Sequence, residues 1–318
     1  DSVFFGVPGD NRAEIDAHVL MFDLEHRFSD RVTLRNRTIY GDYDKYYSNV
    51  FPSGSVAAGG NTVALSAYRD DTQRENVFSQ TDLILKASTG TLDHTLLFGF
   101  ELGWQDTSSG RLTGFFDPVA NTQTATVTLA DRIVVPEVFY RAGPGQRDTA
   151  TDAQILGLYA QDQISIGDHV EIVGGLRFDR FEIDADNLLT GGEFARTVEL
   201  WSPRLGVIYK PVEAASLYVS YSRSYLPQSG DQFTSLDLTS EALAPEKFEN
   251  YEIGAKWDVL PDLQLTAALY QLDRTNTRAP GPTPGTTVLT GKTRSKGLEL
   301  GLAGKLTDAA TLLDRADD

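Results

Sequence analysis

The 318-residue chain has no cysteine, few basic residues and no long apolar run. Each shortage excludes something. Without cysteine there is no disulfide framework, no thiolate metal ligand and no cysteine nucleophile. The 28 Lys and Arg face 45 Asp and Glu, a net charge of −17. That is the wrong sign for a nucleic-acid binder, which must offset phosphate charge. No stretch of about 18 apolar residues occurs, so there is no helical membrane span and no signal-peptide apolar core. The hydrophobic share of 41% is slightly low for a large apolar core. Nor is there a G-x-S-x-G, a glycine-rich phosphate loop or an H-E-x-x-H. The length fits about two ordinary domains, or one large β barrel.

What is present is alternation with a period of two. Leu96, Phe98, Phe100, Leu102 and Trp104 share one face of a strand, with Thr95, Gly99, Glu101 and Gly103 on the other. Tyr251, Ile253, Ala255, Trp257 and Val259 repeat the pattern against Glu252, Gly254, Lys256 and Asp258. Leu298, Leu300 and Leu302 do so again. Successive strand side chains point to opposite faces, so each segment has an apolar wall and a polar wall. Weaker examples cover 17–26, 31–40, 77–87, 155–166, 170–182, 204–210, 215–225 and 263–271. About eleven strands follow, many long enough to cross a bilayer, which takes ~9–11 tilted residues.

The connections alternate in length. Ser29-Asp30, Gly167-Asp168, Pro211-Val212-Glu213 and Pro261-Asp262 are tight turns of the residue types turns prefer. Between them lie longer links, expected at 45–71, 108–150, 187–195, 227–246 and 275–288. Tight turns at one end and long loops at the other is the layout of a membrane β barrel. Aromatics near strand ends (Trp104, Tyr209, Tyr225, Trp257, Tyr270) suit interfacial girdles. Gly99, Gly175, Gly206 and Gly254 on the polar wall leave room for another group. The expected fold is therefore all-β, an antiparallel transmembrane β-barrel meander.

Several stretches resemble one family, the TonB-dependent outer-membrane receptors for ferric siderophores. They are LYAQDQISIGDHVEIVGGLRFDRF (158–181), WSPRLGVIYKP (201–211), LAPEKFENYEIGAKWD (243–258), TRSKGLELGLAGKLTD (293–308), HVLMFDLEHRFSDRVTLRNRTIYGDYD (18–44) and QTDLILKASTGTLDHTLLFGFEL (80–102). The matches keep family order. The resemblance implies a barrel of 22 strands around a plugged lumen, of which residues 1–318 would supply roughly half. Plug, TonB box and early strands would precede Asp1, and further strands would follow Leu306. It further implies energised uptake of a ferric siderophore with no intrinsic cofactor and no covalent catalysis. The partners would be the siderophore, the TonB complex acting through the plug, and lipopolysaccharide or other outer-membrane lipid, with no nucleic acid. Haem, cobalamin or a glycan as substrate, and a passive porin-like barrel, remain as alternatives.

Candidate chemistry concentrates in the 108–150 link. Arg111, Arg132, Arg141 and Arg147 occur there with Phe115, Phe116, Phe139 and Tyr140. Guanidinium donors and stacking rings suit a bulky anionic aromatic ligand such as a ferric catecholate. The competing reading pairs these arginines with Asp117, Asp131, Glu137 and Asp148 in an ordinary surface loop. Arg177 and Arg204 would extend the site along the polar wall. The links 182–195 and 226–246 carry unopposed acids and would repel an anion. Tyr46, Tyr47 and Phe51 either add ring contacts or pack within their own loop. Asp70-Asp71 and Asp184/Asp186 read as solvated charges. His18 and His26 are eight residues apart on one strand, about 27 Å at ~3.4 Å per residue, too far to share a metal. His94 and His169 read as turn histidines.

Overall fold

The computed structural model describes residues 4–117, 119–129, 133–226, 244–280, 287–289, 291–307 and 310–312. Every regular element among them is a strand. Eleven are long: β1 (Arg12–Ser29), β2 (Val32–Pro52), β3 (Thr62–Thr89), β4 (Leu92–Phe115), β7 (Arg147–Ile166), β8 (Val170–Asn187), β9 (Gly192–Val212), β10 (Ala215–Leu226), β11 (Glu246–Leu260), β12 (Leu263–Thr275) and β15 (Lys292–Thr307). Five are short: β5 (Ala125–Thr128), β6 (Phe139–Arg141), β13 (Arg278–Pro280), β14 (Thr287–Leu289) and β16 (Ala310–Leu312). The long strands form one antiparallel meander, each paired with the next long strand, ending at β16. β5 adds to β3 and β6 to β4, while β13 and β14 form a separate hairpin.

Apart from the four-residue turn at 188–191, the tight turns lie at one end of the sheet. Gly90 and Gly167 take φ of 64° and 57° in two of them, a left-handed conformation that glycine adopts without steric cost. Among the described residues no helix forms, because the apolar residues recur every second position along most of the chain.

The two faces differ. Leu102, Trp104, Leu158, Trp201, Leu205, Val219, Ile253, Leu269, Leu298 and Leu300 stand exposed on one face, and it is continuous across the register. An apolar surface of that extent in water would be strongly unfavourable at ~25 cal/mol per Å². From Tyr251 to Val259 the apolar ladder runs about 27 Å at ~3.4 Å per residue. Tilted by ~40°, it rises about 21 Å, close to the ~25 Å apolar band of membrane barrels. Trp104, Tyr209 and Trp257 lie on this face near its ends. Tyr270 does not: it points to the polar face, against Gly297.

On the polar face the glycines are occupied by their neighbours' rings. Phe78 lies over Gly103, Tyr159 over Gly99, Tyr218 over Gly254 and Tyr270 over Gly297, each pair directly opposite across two strands. A Cβ on Gly99 would sit 2.2 Å from the Tyr159 ring. The space expected at Gly99 and Gly254 is thus taken within the wall, by rings that cover exposed backbone. Gly175 is crossed by the Arg204 stem.

The strands outrun the expected loops. β2 continues to Pro52 and β3 begins at Thr62, so the 45–71 link shrinks to 53–61. Residues 108–115 belong to β4 and 147–150 to β7, and 187–195 reduces to a four-residue turn at 188–191. Two small cores accompany these extensions: Ala153, Ile155, Ile183, Ala185 and Phe194 are buried together beside 188–191, and another lies where β2 and β3 run on. Val50, Val63, Leu65, Ala67 and Val127 are buried there under Phe5, Val7, Phe116 and Val138. Asp231, Asp237 and Glu241 of the acidic 226–246 link lie outside the described residues. Glu246 is buried and gripped by Arg274 at 2.7 Å.

Candidate functional site

Strand pairing assembles a site on the polar face at the loop end. Tyr47 of β2 is opposite Asp70 of β3, Asp70 is opposite Arg111 of β4, and Arg111 is opposite Arg147 of β7. The row above it holds Asn49, Tyr68, Thr113 and Arg141. The row below holds Lys45, Thr72, Ser109 and Thr149. Phe115 and Phe139 face each other beyond. Residues separated by up to a hundred positions thus become neighbours, because an antiparallel meander sets them at equal heights.

The charges are organised by Asp70. Arg111 donates to both its oxygens, Nε to Oδ1 at 2.7 Å and Nη2 to Oδ2 at 2.5 Å. This is the bidentate fork that fixes a guanidinium plane. Arg147 donates through Nη2 to Oδ1 at 3.5 Å and through Nε to Ser109 Oγ at 3.1 Å. The Asp70 carboxylate holds the Arg111 pKa above its ordinary value. The Arg111 guanidinium lies 4.3 Å over the Tyr68 ring. Tyr68 in turn contacts Tyr47 and Phe51, with ring centroids 5.7 and 5.6 Å apart. Burial raises the Tyr68 pKa. Arg141 donates to Asn121 and covers Phe115 at 4.4 Å. Arg111 and Arg147 share the one Asp70 carboxylate, which leaves this surface cationic and aromatic, with N–H donors held in fixed planes.

The expected site residues separate into groups. Arg111, Arg141, Arg147 and Phe139 share the polar face. Tyr140 points to the other face, where its hydroxyl donates to Asp10 Oδ2 at 2.8 Å beneath the Arg69 guanidinium. It secures the segment before β1 and does not approach Arg111. Arg132 and Asp131 lie outside the described residues. Arg177 sits lower on the wall, bonded to Asp179 at 2.7 Å and Glu101 at 3.0 Å. Arg204 is exposed and borders a cavity of about 650 Å³ with Ser202, Ser220, Ser222, Tyr218 and Lys256.

For Arg111 and Arg147 the pairing proposed within the 108–150 link is replaced by another. Arg111 and Arg147 turn to Asp70, a residue read as a solvated loop charge, and not to Asp117 or Asp148. Asp117 instead caps its own turn by accepting from the backbone N–H groups of Val119 and Ala120. Tyr68 and Ser109 went unnoticed as site residues. The usable signal was the alternation Tyr43, Lys45, Tyr47, Asn49, Phe51, which keeps strand period inside an apparent loop. Among the described residues no group of three or more His, Asp or Glu is placed to hold a metal. His94 Nδ1 meets Asp162 at 2.8 Å, and His169 Nδ1 meets the Lys210 carbonyl at 2.8 Å.

Comparison with known proteins agrees with this architecture. The chain is 28% identical over 313 residues to the probable TonB-dependent siderophore receptor PiuA of Acinetobacter baumannii, covering 92% of this chain and 42% of that protein. It is 26% identical over 349 residues to the catecholate siderophore receptor Fiu of Escherichia coli, covering 96% and 44%. It is also 28% identical over 324 residues to the metal-pseudopaline receptor CntO of Pseudomonas aeruginosa, covering 98% and 44%. The chain therefore spans less than half the length of these relatives. Its fold superposes on the crystal structure of A. baumannii PiuA with a TM-score of 0.82 at 26% identity, over 96% of this chain and 46% of that one. A family model described as "TonB dependent receptor-like, beta-barrel" matches residues 3–318. The long meander, its two contrasting faces and this match over almost every residue make the chain a member of the TonB-dependent receptor β-barrel family.

Proposed function

We propose that this chain forms part of the barrel domain of a bacterial outer-membrane receptor that takes up ferric siderophores in a TonB-dependent manner. The observation that carries the reading is the row Tyr47, Asp70, Arg111, Arg147 with Tyr68 above it. A ferric catecholate is anionic, aromatic and too large for a closed pocket. Arg111 and Arg147 would donate to its oxygens while Tyr68, Tyr47 and Phe51 offer ring faces. Arg141 and Phe139 would contact its outer edge. Arg204 would receive the ligand further down the wall. Arg177, already satisfied by two carboxylates, would hold the wall in shape. The likeness to Fiu, named a catecholate siderophore receptor, supports the ligand class.

No covalent step is assigned. The ferric siderophore is the cargo, and the barrel domain binds and orients it. Energised release would pass through a plug domain and the TonB complex, and lipid or lipopolysaccharide would surround the apolar face. The test is fluorescence quenching of the purified full-length receptor by ferric catecholate and ferric hydroxamate complexes. Preference for the catecholate supports the reading, and equal response to both overturns the ligand class. CntO, named for metal-pseudopaline, is as similar as PiuA. This favours a second reading, an anionic metallophore without catechols, and such a complex belongs in the same titration. Ion conduction by the receptor in single-channel recording without TonB would instead indicate a passive pore.

A further inference from the structure

The apolar face carries a charged band at its loop end that siderophore uptake does not use. On β10, β11, β12 and β15, the residues Arg223, Glu249, Asp273 and Arg294 form one unbroken cross-strand row. Two residues toward the loops, Lys247 and Lys292 flank it. Two residues the other way, Tyr221 and Tyr251 lie in ring contact at 5.1 Å, above the ladder of Val219, Ile253, Leu269 and Leu298. The charged row is thus about 7 Å beyond the aromatic pair at ~3.4 Å per residue. Aromatic girdles mark the edge of the hydrocarbon, and the polar layer beyond it is ~5–7 Å deep. The row therefore lies at headgroup height.

Its charges are layered. Glu249 and Asp273 are directly opposite one another, an arrangement that repels unless cations intervene. Each is capped by two: Arg223 and Lys247 on Glu249 at 3.0 Å, Lys292 and Arg294 on Asp273 at 2.7 and 2.6 Å. The carboxylates are sheltered, with side-chain exposures of 15% and 4%, while the four cations keep 30–47%. Four cations less two acids leave a net +2, and the surroundings meet the cations. Each guanidinium and ammonium has more N–H donors than one carboxylate oxygen can accept.

The opposite flank of the same band has the other sign. Asp42, Asp44, Glu75, Asp106 and Asp152 face outward on β2, β3, β4 and β7 at the level just beyond Trp104. An anionic headgroup would be repelled there and drawn to β10–β15. We infer that Arg223, Lys247, Lys292 and Arg294 form a docking site for the phosphate groups of an outer-leaflet lipid, at one flank of the barrel. This rests on the membrane placement of the sheet but not on the siderophore assignment.

The experiment uses the full-length receptor in detergent, delipidated and then loaded with lipid A, phosphatidylcholine or inorganic phosphate. Bound phosphorus per receptor is counted after gel filtration. Wild type should retain lipid A at about one molecule per receptor and little phosphatidylcholine. A variant with Arg223→Gln, Lys247→Gln, Lys292→Gln and Arg294→Gln should lose at least about fivefold of that retention. Asp42→Asn with Glu75→Gln should lose none. Equal retention by the fourfold variant and wild type overturns the site, as does displacement of lipid A by millimolar inorganic phosphate. If the fourfold variant loses the heat-modifiable mobility of a folded barrel, the pairs Arg223→Gln/Lys247→Gln and Lys292→Gln/Arg294→Gln are compared instead, each expected to halve retention or more. Quenching by ferric siderophore should be unchanged in every variant, so failure of the two assignments can be told apart.

Discussion

Arg111→Ala is the sharpest test of the ligand site. Arg111 is held in plane by two bonds to Asp70 and lies 4.3 Å over Tyr68. Its truncation removes the ring's cationic cover and leaves Asp70 facing the ligand with only the 3.5 Å contact from Arg147. A hydrogen bond to a charged group contributes about 1.5–3 kcal/mol, and Arg111 is one-third exposed, so the lower half of that range applies. At 1.4 kcal/mol per decade, Kd for a ferric catecholate should rise about 10- to 40-fold. Arg177→Ala is the paired control. Its guanidinium is already spent on Asp179 and Glu101, so the change in Kd should stay below about threefold. Both are measured by tryptophan and tyrosine quenching in the full-length receptor, with heat-modifiable mobility confirming the fold. If Arg177→Ala weakens binding as much as Arg111→Ala, or if Arg111→Ala changes nothing, the loop-end row is not the site.

Further outcomes follow from the same contacts. Gly254→Ala places a Cβ 2.5 Å from the Tyr218 ring and should destabilise the barrel by about 1–3 kcal/mol in urea; adding Tyr218→Ala should recover most of that loss. Burial first, and then Asp152 and Glu75, raise the Asp106 pKa above its ordinary 3.8. Its ionised form therefore destabilises the fold above the folded pKa, and this effect is lost as pH falls from the folded pKa to 3.8. Asp106→Asn should accordingly raise the melting temperature at pH 7 and lose that gain below about pH 4, read by thermal scans at each pH. Tyr140 is pushed up to about 12 by burial and by the Asp10 carboxylate. Its folded form keeps a proton the unfolded form gives up near 10, so the clamp weakens between about pH 10 and 12. Proteolysis of the 4–11 segment should rise over that window in wild type and lose the pH step in Tyr140→Phe.

The membrane portion of the fold was legible because lipid imposes a rule on sequence. Leu96 to Trp104 and Tyr251 to Val259 must be apolar at alternate positions, and eleven long strands are what that rule finds. Outside the bilayer the rule lapses. Gln105, Thr107 and Ser109 are buried on the polar face of β4 although all are polar, so hydrophobic periodicity is silent where the strand continues. Val63, Leu65 and Ala67 do alternate, but beside glycine-rich 53–60 they passed for loop. Site residues were half visible for the same reason. Arg111 and Arg147 stand out by type, whereas Asp70 gains its meaning only from register, and register depends on where strands start. The same dependence hid the orientation of Tyr140, one position from Arg141 and on the opposite face.

The rings laid over Gly99, Gly254 and Gly297 bear on what a moving object would feel. A tyrosine standing off the wall would be a catch; one lying flat in a glycine notch leaves low relief. The hydroxyls of Tyr159 and Tyr218 are also engaged, by Asp82 and by Glu252, so they offer little for a passing group to grip. The polar face behaves at these notches like a bearing, wetted and smooth. Arg204, exposed beside its row of serines, is a place where a passing anion would be slowed.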